Sequence, residues 1–204
     1  MQFSYDRTGF PLIAVPSVGV EAQLLPATKM QFERFLAEPN DFGDSWYEGV
    51  LALNPRVSHR QLTTNDRERL FITGLLPEEA LAFARWMGEG FDLPTVEQWR
   101  ALYTALAAES VPMRHWVPQA SISSVRLVLD ILMTQRRAHS LLDLSLMRGG
   151  VVEWVRQRNT WVGLGAPRPE FHANLWNPLE DMVRPIRVGE RLPYFGLRLM
   201  RRGV

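Results

Sequence analysis

Not one of the 204 residues is cysteine. The chain must therefore reach its fold without a disulfide and without a thiolate to hold zinc or copper, so an apolar core has to supply the stability. Its hydrophobic content of 46% is ample for one such core, and a single domain over residues 1–204 is the expectation. The missing thiols also exclude cysteine nucleophiles and suit a reducing compartment, so a cytoplasmic location is expected. Apolar stretches such as Leu127 to Met133 fall far short of the roughly 20 residues a membrane-spanning helix needs. The start Met1-Gln2-Phe3-Ser4-Tyr5-Asp6 has no charged-then-apolar export pattern, which predicts a soluble, unexported chain.

The four histidines, His59, His115, His139 and His172, are too scattered for a local metal site. The net charge of +1 conceals an asymmetry, because residues 134–204 carry 12 basic groups against 6 acidic ones. Lys29 is the only lysine, so almost every cation is a planar guanidinium suited to carboxylate or phosphate. An arginine-biased genome with solvated surface arginines accounts for the same count, and nucleic-acid binding is not indicated.

Local signals predict the elements. Phe10 to Pro16 is a short strand ended by proline, with Val18-Gly19-Val20 and Ala22 to Leu25 as weaker strands. Thr28 is placed to cap a helix whose inner face carries Met30, Phe32, Phe35 and Leu36. Residues 38–66 carry turn chemistry at nearly every step and are expected to be a long loop. Pro77, Glu78 and Glu79 open a second helix with Ala80, Phe83, Ala84 and Met87 on its buried stripe, broken at Gly88-Glu89-Gly90. Thr95 and Gln98 have capping-box spacing for a helix running to about Ala108. Ser124 to Arg137 forms an additional helix through Val125, Val128, Leu129 and Leu132, and from residue 143 onward small strands alternate with long loops.

Four segments then stand out together. Leu25 to Leu36 reads LPATKMQFERFL, Leu75 to Trp99 reads LLPEEALAFARWMGEGFDLPTVEQW, Asp143 to Val155 reads DLSLMRGGVVEWV, and Tyr194 to Leu199 reads YFGLRL. In this order they resemble the formylglycine-generating-enzyme family, whose signatures are a threonine-led helix entry, an "RLPTEaEWE" turn, a "GLyDMaGNvwEWv" segment and a closing "iGFRlv" strand. Leu93, Pro94, Thr95, Trp99, Leu144, Met147, Gly149, Glu153 and Trp154 fall on matching positions, whereas Asp92, Val96 and Gln98 depart from them. The resemblance implies an α+β fold of the C-type-lectin-like kind: sparse antiparallel strands, two main helices plus the one near 124–137, long loops, and termini joined in one antiparallel sheet. The same residues have a purely structural reading. A threonine N-cap fixes a helix start, Trp86, Trp99 and Trp154 are apolar anchors, and Gly149-Gly150 permits a tight turn.

Enzymes of that family oxidise a substrate cysteine with copper held by two cysteines. A chain without cysteine cannot work that way. A related branch adds a histidine-rich helical domain that holds iron, and that domain is missing here. The family's calcium site also looks damaged, since its asparagine and aspartate stand as Gly150 and Gln157 around Glu153. Glu153 is therefore expected in a buried hydrogen bond or an arginine pair, and no cofactor or metal is expected. No G-x-S-x-G elbow or phosphate-cradling loop occurs; Gly163-Leu164-Gly165 reads as a glycine pair within a loop, and Glu78/Glu79 and Glu180/Asp181 as exposed acids.

What remains is binding. Trp161, Phe171, His172, Asn174, Trp176, Asn177, Arg184, Arg187, Arg191 and Tyr194 lie in a loop-rich stretch, and arginines and aromatics on loops are the types enriched at interaction hot spots. In the resembled family this region lines the substrate groove, and in relatives diversified by retroelements it is the variable ligand-binding face. The expectation is a non-catalytic recognition module, similar to adaptors or sensors of bacterial signalling and conflict systems, that binds a protein partner through this face. A diversified ligand-binding protein and a cysteine-independent metal enzyme are the alternatives. On this reading, removing Arg184 and Arg191 together weakens the partner and leaves stability unchanged.

Overall fold

The computed structural model describes residues 3–53, 70–109, 125–126, 128–130, 132, 140–147, 151–165, 177–185, 187 and 189–203. All four histidines, Gly149-Gly150, the Arg136-Arg137 helix end, Phe171, His172, Asn174 and Trp176 lie outside these residues.

Strands β1 (Phe3–Tyr5), β2 (Pro11–Val15) and β3 (Val20–Gln23) form an antiparallel meander. The 3-10 turn Pro16–Val18 ends on Gly19 in the left-handed region at φ 63, so Val18-Gly19 makes the corner and the strand starts at Val20. β3 pairs with β8 (Met200–Arg202), which also pairs with β4 (Phe91–Asp92), giving the order β1-β2-β3-β8-β4. Both ends of the chain thus meet in one antiparallel sheet, as expected.

Three helices start where their caps place them. Thr28 and Gln31 bond reciprocally at the head of α1 (Lys29–Leu36), which buries Gln31, Phe32 and Phe35. Pro77 occupies the first turn of α3 (Pro77–Met87), whose buried face includes Ala80, Phe83, Ala84 and Met87. Thr95 and Gln98 close a capping box on α4 (Val96–Ala108). Ahead of α4, Arg156 N–H donates to Pro94 O at 2.8 Å, tying the Leu93-Pro94-Thr95 turn to β5 (Val152–Gln157).

The expected loop at 38–66 holds a helix, α2 (Asp44–Ala52). Its signal is short. Only Val50 is fully buried, and the turn formers crowding Asp41 to Gly43 and Asn54-Pro55 mask the spacing of Trp46, Tyr47 and Val50. Trp46 instead anchors by ring contact, with its centroid 5.8 Å from Phe32 and 4.5 Å from Phe42. Of the stretch 124–137, Val125, Arg126, Val128, Leu129, Asp130 and Leu132 are described and helical, with the four apolar ones buried. A short helix, α5 (Leu141–Ser145), stands partly where loop was expected, started by a Ser140–Asp143 capping box.

The second sheet has the order β6-β5-β7, with β6 (Thr160–Leu164) antiparallel to β5 and β7 (Phe195–Gly196) parallel to it. That parallel pair departs from the all-antiparallel expectation. Gly196 permits it, because a Cβ there would meet Ile72 O at 2.9 Å and Val151 Cγ2 at 3.0 Å. Gly163 and Leu164 are strand residues, not loop. The sheet separates two apolar clusters: Val152, Trp154 and Phe195 pack with Phe32, Phe83 and Leu75, while Val155, Val162 and Leu164 pack with Trp99, Leu102 and Leu129.

At the junction sits a buried ion pair. Glu153 and Arg198 both have fully buried side chains, with Arg198 Nη2 2.7 Å from Glu153 Oε1 and Arg198 Nε 2.9 Å from Oε2. Trp99 Nε1 donates to the same Oε2 at 2.7 Å, and Arg198 also donates to the carbonyls of Gln23, Leu24 and Ser145. Each charge thereby has several hydrogen bonds offsetting its desolvation. Glu153 makes both of the contacts expected of it. Trp99 and Trp154 are buried as expected, whereas Trp86 is only half-buried, with Arg7 stacked 4.4 Å over its ring.

Candidate functional site

β5 and β6 are joined by a two-residue turn, Arg158-Asn159, closing the pair Gln157↔Thr160. Arg158 takes a left-handed φ of 54, a conformation that costs a side-chain-bearing residue about 1 kcal/mol. At the opposite end, β6 meets the segment after residue 177. Gly163 N–H donates to Val183 O at 2.7 Å and Val183 N–H donates to Gly163 O at 2.9 Å. Gly163 has to be glycine there, since a Cβ would fall 2.3 Å from Val152 Cγ1 and 2.6 Å from Phe195.

Beyond Val183 the chain leaves β6, and the two diverge around a groove of about 890 Å³. Trp154, Trp161 and Val162 line it from the sheet, Arg158 and Thr160 from the hairpin tip, and Arg184, Pro185 and Arg187 from the facing arm, while Leu76, Pro77 and Glu78 at the start of α3 contribute another wall. Trp161 is half-buried, with the Arg156 guanidinium 5.2 Å from its ring, and Arg156 is itself fixed by bonds of 2.9 and 3.0 Å to both oxygens of Asp92. The tryptophan is thus held on one side by a cation–π contact.

The arginines around the sheets differ in what they pair with. Arg7, Arg156, Arg191, Arg198 and Arg201 each pair with a carboxylate. Arg158, Arg184 and Arg187 are exposed and pair with no carboxylate among the described residues. These three all line the groove. Its acidic residues are Glu78 and Glu190, and Glu190 Oε2 is buried without a hydrogen-bond partner among the described residues.

Of the residues expected in a binding face, Trp161, Arg184 and Arg187 come together in this groove. Asn177 lies on the exposed surface in its own turn, accepting from Leu179 N–H at 3.1 Å and donating its backbone N–H to Asp181. Tyr194 is half-buried against Phe195, with ring centroids 5.3 Å apart.

Arg191 has a structural role. It pairs with both oxygens of Glu79 and donates to Gly74 O at 3.0 Å, and Trp46 Nε1 donates to Glu79 at 2.9 Å. Glu79, expected to be an exposed helix-start acid, is 6% exposed and also accepts from Leu76 N–H. The pair is separated by 112 positions in sequence, too far for any local pattern to reveal. Arg158 and Glu190 were not anticipated either; the sole local hint of the hairpin tip is Arg158-Asn159 between two strand-like runs.

The described residues contain no group of three histidine, aspartate or glutamate side chains placed to hold a metal ion. No helix among them is long and apolar enough to cross a membrane. Models of known protein families do not match the sequence, and neither do curated proteins.

Proposed function

We propose that this chain is a recognition module of the formylglycine-generating-enzyme-like, C-type-lectin-like kind that binds a protein partner in the groove between the β5–β6 hairpin and the arm that carries Arg184, Pro185 and Arg187. The observation that carries this reading is the set of three exposed guanidiniums, Arg158, Arg184 and Arg187, unpaired among the described residues and gathered beside Trp161 on one concave surface. Concave surfaces joining an aromatic anchor to arginines have the composition of interaction hot spots. Support for the fold comes from the buried node, where Trp99, Glu153 and Arg198 from three of the four family-like segments bond one another and Arg198 reaches Leu24 beside the fourth. The groove's sheet wall is tied to that node through β5, and such preorganisation lowers the entropic cost of binding. The partner belongs to the kind of bacterial signalling or conflict system in which similar modules act as adaptors or sensors.

The test is quantitative capture from the source organism's lysate with immobilised wild-type protein and with Arg184→Ala/Arg187→Ala. Loss of one specific protein from the double variant is expected. Both side chains are exposed, and surface changes are worth under about 0.5 kcal/mol, so the melting temperature should stay within about 2 °C. An unchanged capture profile would contradict the reading.

A further inference from the structure

Gly163 exchanges both backbone hydrogen bonds with Val183 on the side of β6 away from β5. In an antiparallel ladder, residues two apart direct their N–H and C=O groups to the same side, so Trp161 also turns both groups to this outer edge. Its partner at the next register step after Gly163↔Val183 is position 185, which is proline. Proline has no N–H to give the Trp161 carbonyl and is confined to the edges of ladders. The pairing therefore stops after one rung, and the arm departs from β6 where the groove opens. Trp161 presents one donor and one acceptor to that opening, between the guanidiniums of Arg158, Arg184 and Arg187.

We propose that the groove takes an acidic segment of a partner protein in extended form, which adds to the outer edge of β6 at Trp161 and continues the rung that Pro185 interrupts. This rests on the protein-binding reading above and specifies its ligand. Strand addition supplies sequence-independent backbone bonds, and side-chain contacts select the sequence. Here selection is by charge: an added strand passes between Arg158 at the hairpin tip and Arg184 and Arg187 on the arm, where its carboxylates form charge-assisted, bidentate bonds. The occupant is a carboxylate-bearing peptide and not a basic one, because the groove's free cations outnumber Glu78 and Glu190.

The experiment titrates the whole protein with a blocked nonapeptide alternating glutamate and valine, followed by amide hydrogen exchange and chemical shift at Trp161. The same peptide with lysine for glutamate is the control. Expected are saturable binding, exchange at the Trp161 amide slowed roughly tenfold at saturation, affinity falling steeply with salt, and binding about tenfold weaker to Arg184→Ala/Arg187→Ala. Equal binding of the lysine peptide, no binding of the glutamate peptide up to millimolar concentration, or binding without protection of the Trp161 amide would each overturn the proposal. If partner capture still depends on Arg184 and Arg187 in any of those cases, the protein-binding reading stands and strand addition alone fails. Capture indifferent to both arginines removes both.

Discussion

Single side chains in this protein carry unequal weight. Removing one member of the Glu153–Arg198 pair leaves the other charge buried and unmatched, and such changes typically cost about 3–5 kcal/mol. Glu153→Ala is expected to fall in that range by denaturant unfolding. Arg198→Met should cost at least as much, because the carbonyls of Gln23, Leu24 and Ser145 lose their donor as well. Surface pairs behave differently. Burial alone would push the Glu21 carboxyl up, but the hydrogen bond from Ser4, together with the hydrogen bond and charge of Arg201, outweighs it and holds the group below its ordinary value of 4.5. A carboxylate depressed in the folded state stabilises fully above its unfolded value and loses that contribution as pH falls through the folded one. Glu21→Gln should therefore flatten the decline in stability below about pH 4.5, as measured by melting temperature against pH. Sequence reading anticipated a buried hydrogen bond or arginine pair for Glu153 because the resembled family's calcium ligands stand here as Gly150 and Gln157. It did not foresee that Arg191 pairs with Glu79, which lies 112 positions away.

Among the elements, those announced by local chemistry were the legible ones. The Thr28–Gln31 and Thr95–Gln98 caps and the Pro77 start each depend on residues within one turn, so α1, α3 and α4 begin where the sequence places them. α2 was hidden because its stability comes from Trp46 against Phe32 and Phe42, and not from a wide apolar stripe. β6 was hidden because Gly163, which looks like a loop residue, is required by the close approach of Val152 and Phe195. Gly163→Ala is expected to cost about 1–3 kcal/mol through overpacking, with the loss of Gly163–Val183 pairing seen as faster amide exchange at Val183. A variant as stable as wild type would show that the sheet yields more readily than its packing indicates.

Across the whole molecule, the two apolar clusters meet at one sheet, and that sheet's free end makes the groove. The α+β class was readable from the alternation of helix and strand signals, and the joined termini were implied only by the resemblance of the four segments. The groove was readable only in part. Trp161, Arg184 and Arg187 declared themselves by residue type, but Arg158 and the interrupted rung at Pro185 exist only through the pairing of β5, β6 and the arm. Arg191 supports this surface indirectly by fastening the arm to α3. Arg191→Ala should thus lower stability by about 1–3 kcal/mol as the buried Glu79 loses its partner, and weaken partner capture along with it. The claim on which the account turns is that the partner sits in this groove. Photocrosslinking in cells tests it most directly, with benzoylphenylalanine in place of exposed Thr160 on the groove wall or of exposed Tyr5 on the terminal sheet. One discrete crosslinked protein from position 160, none from position 5, and loss of the product with Arg184→Ala/Arg187→Ala is the predicted result. A discrete product from position 5 and none from position 160 would contradict it.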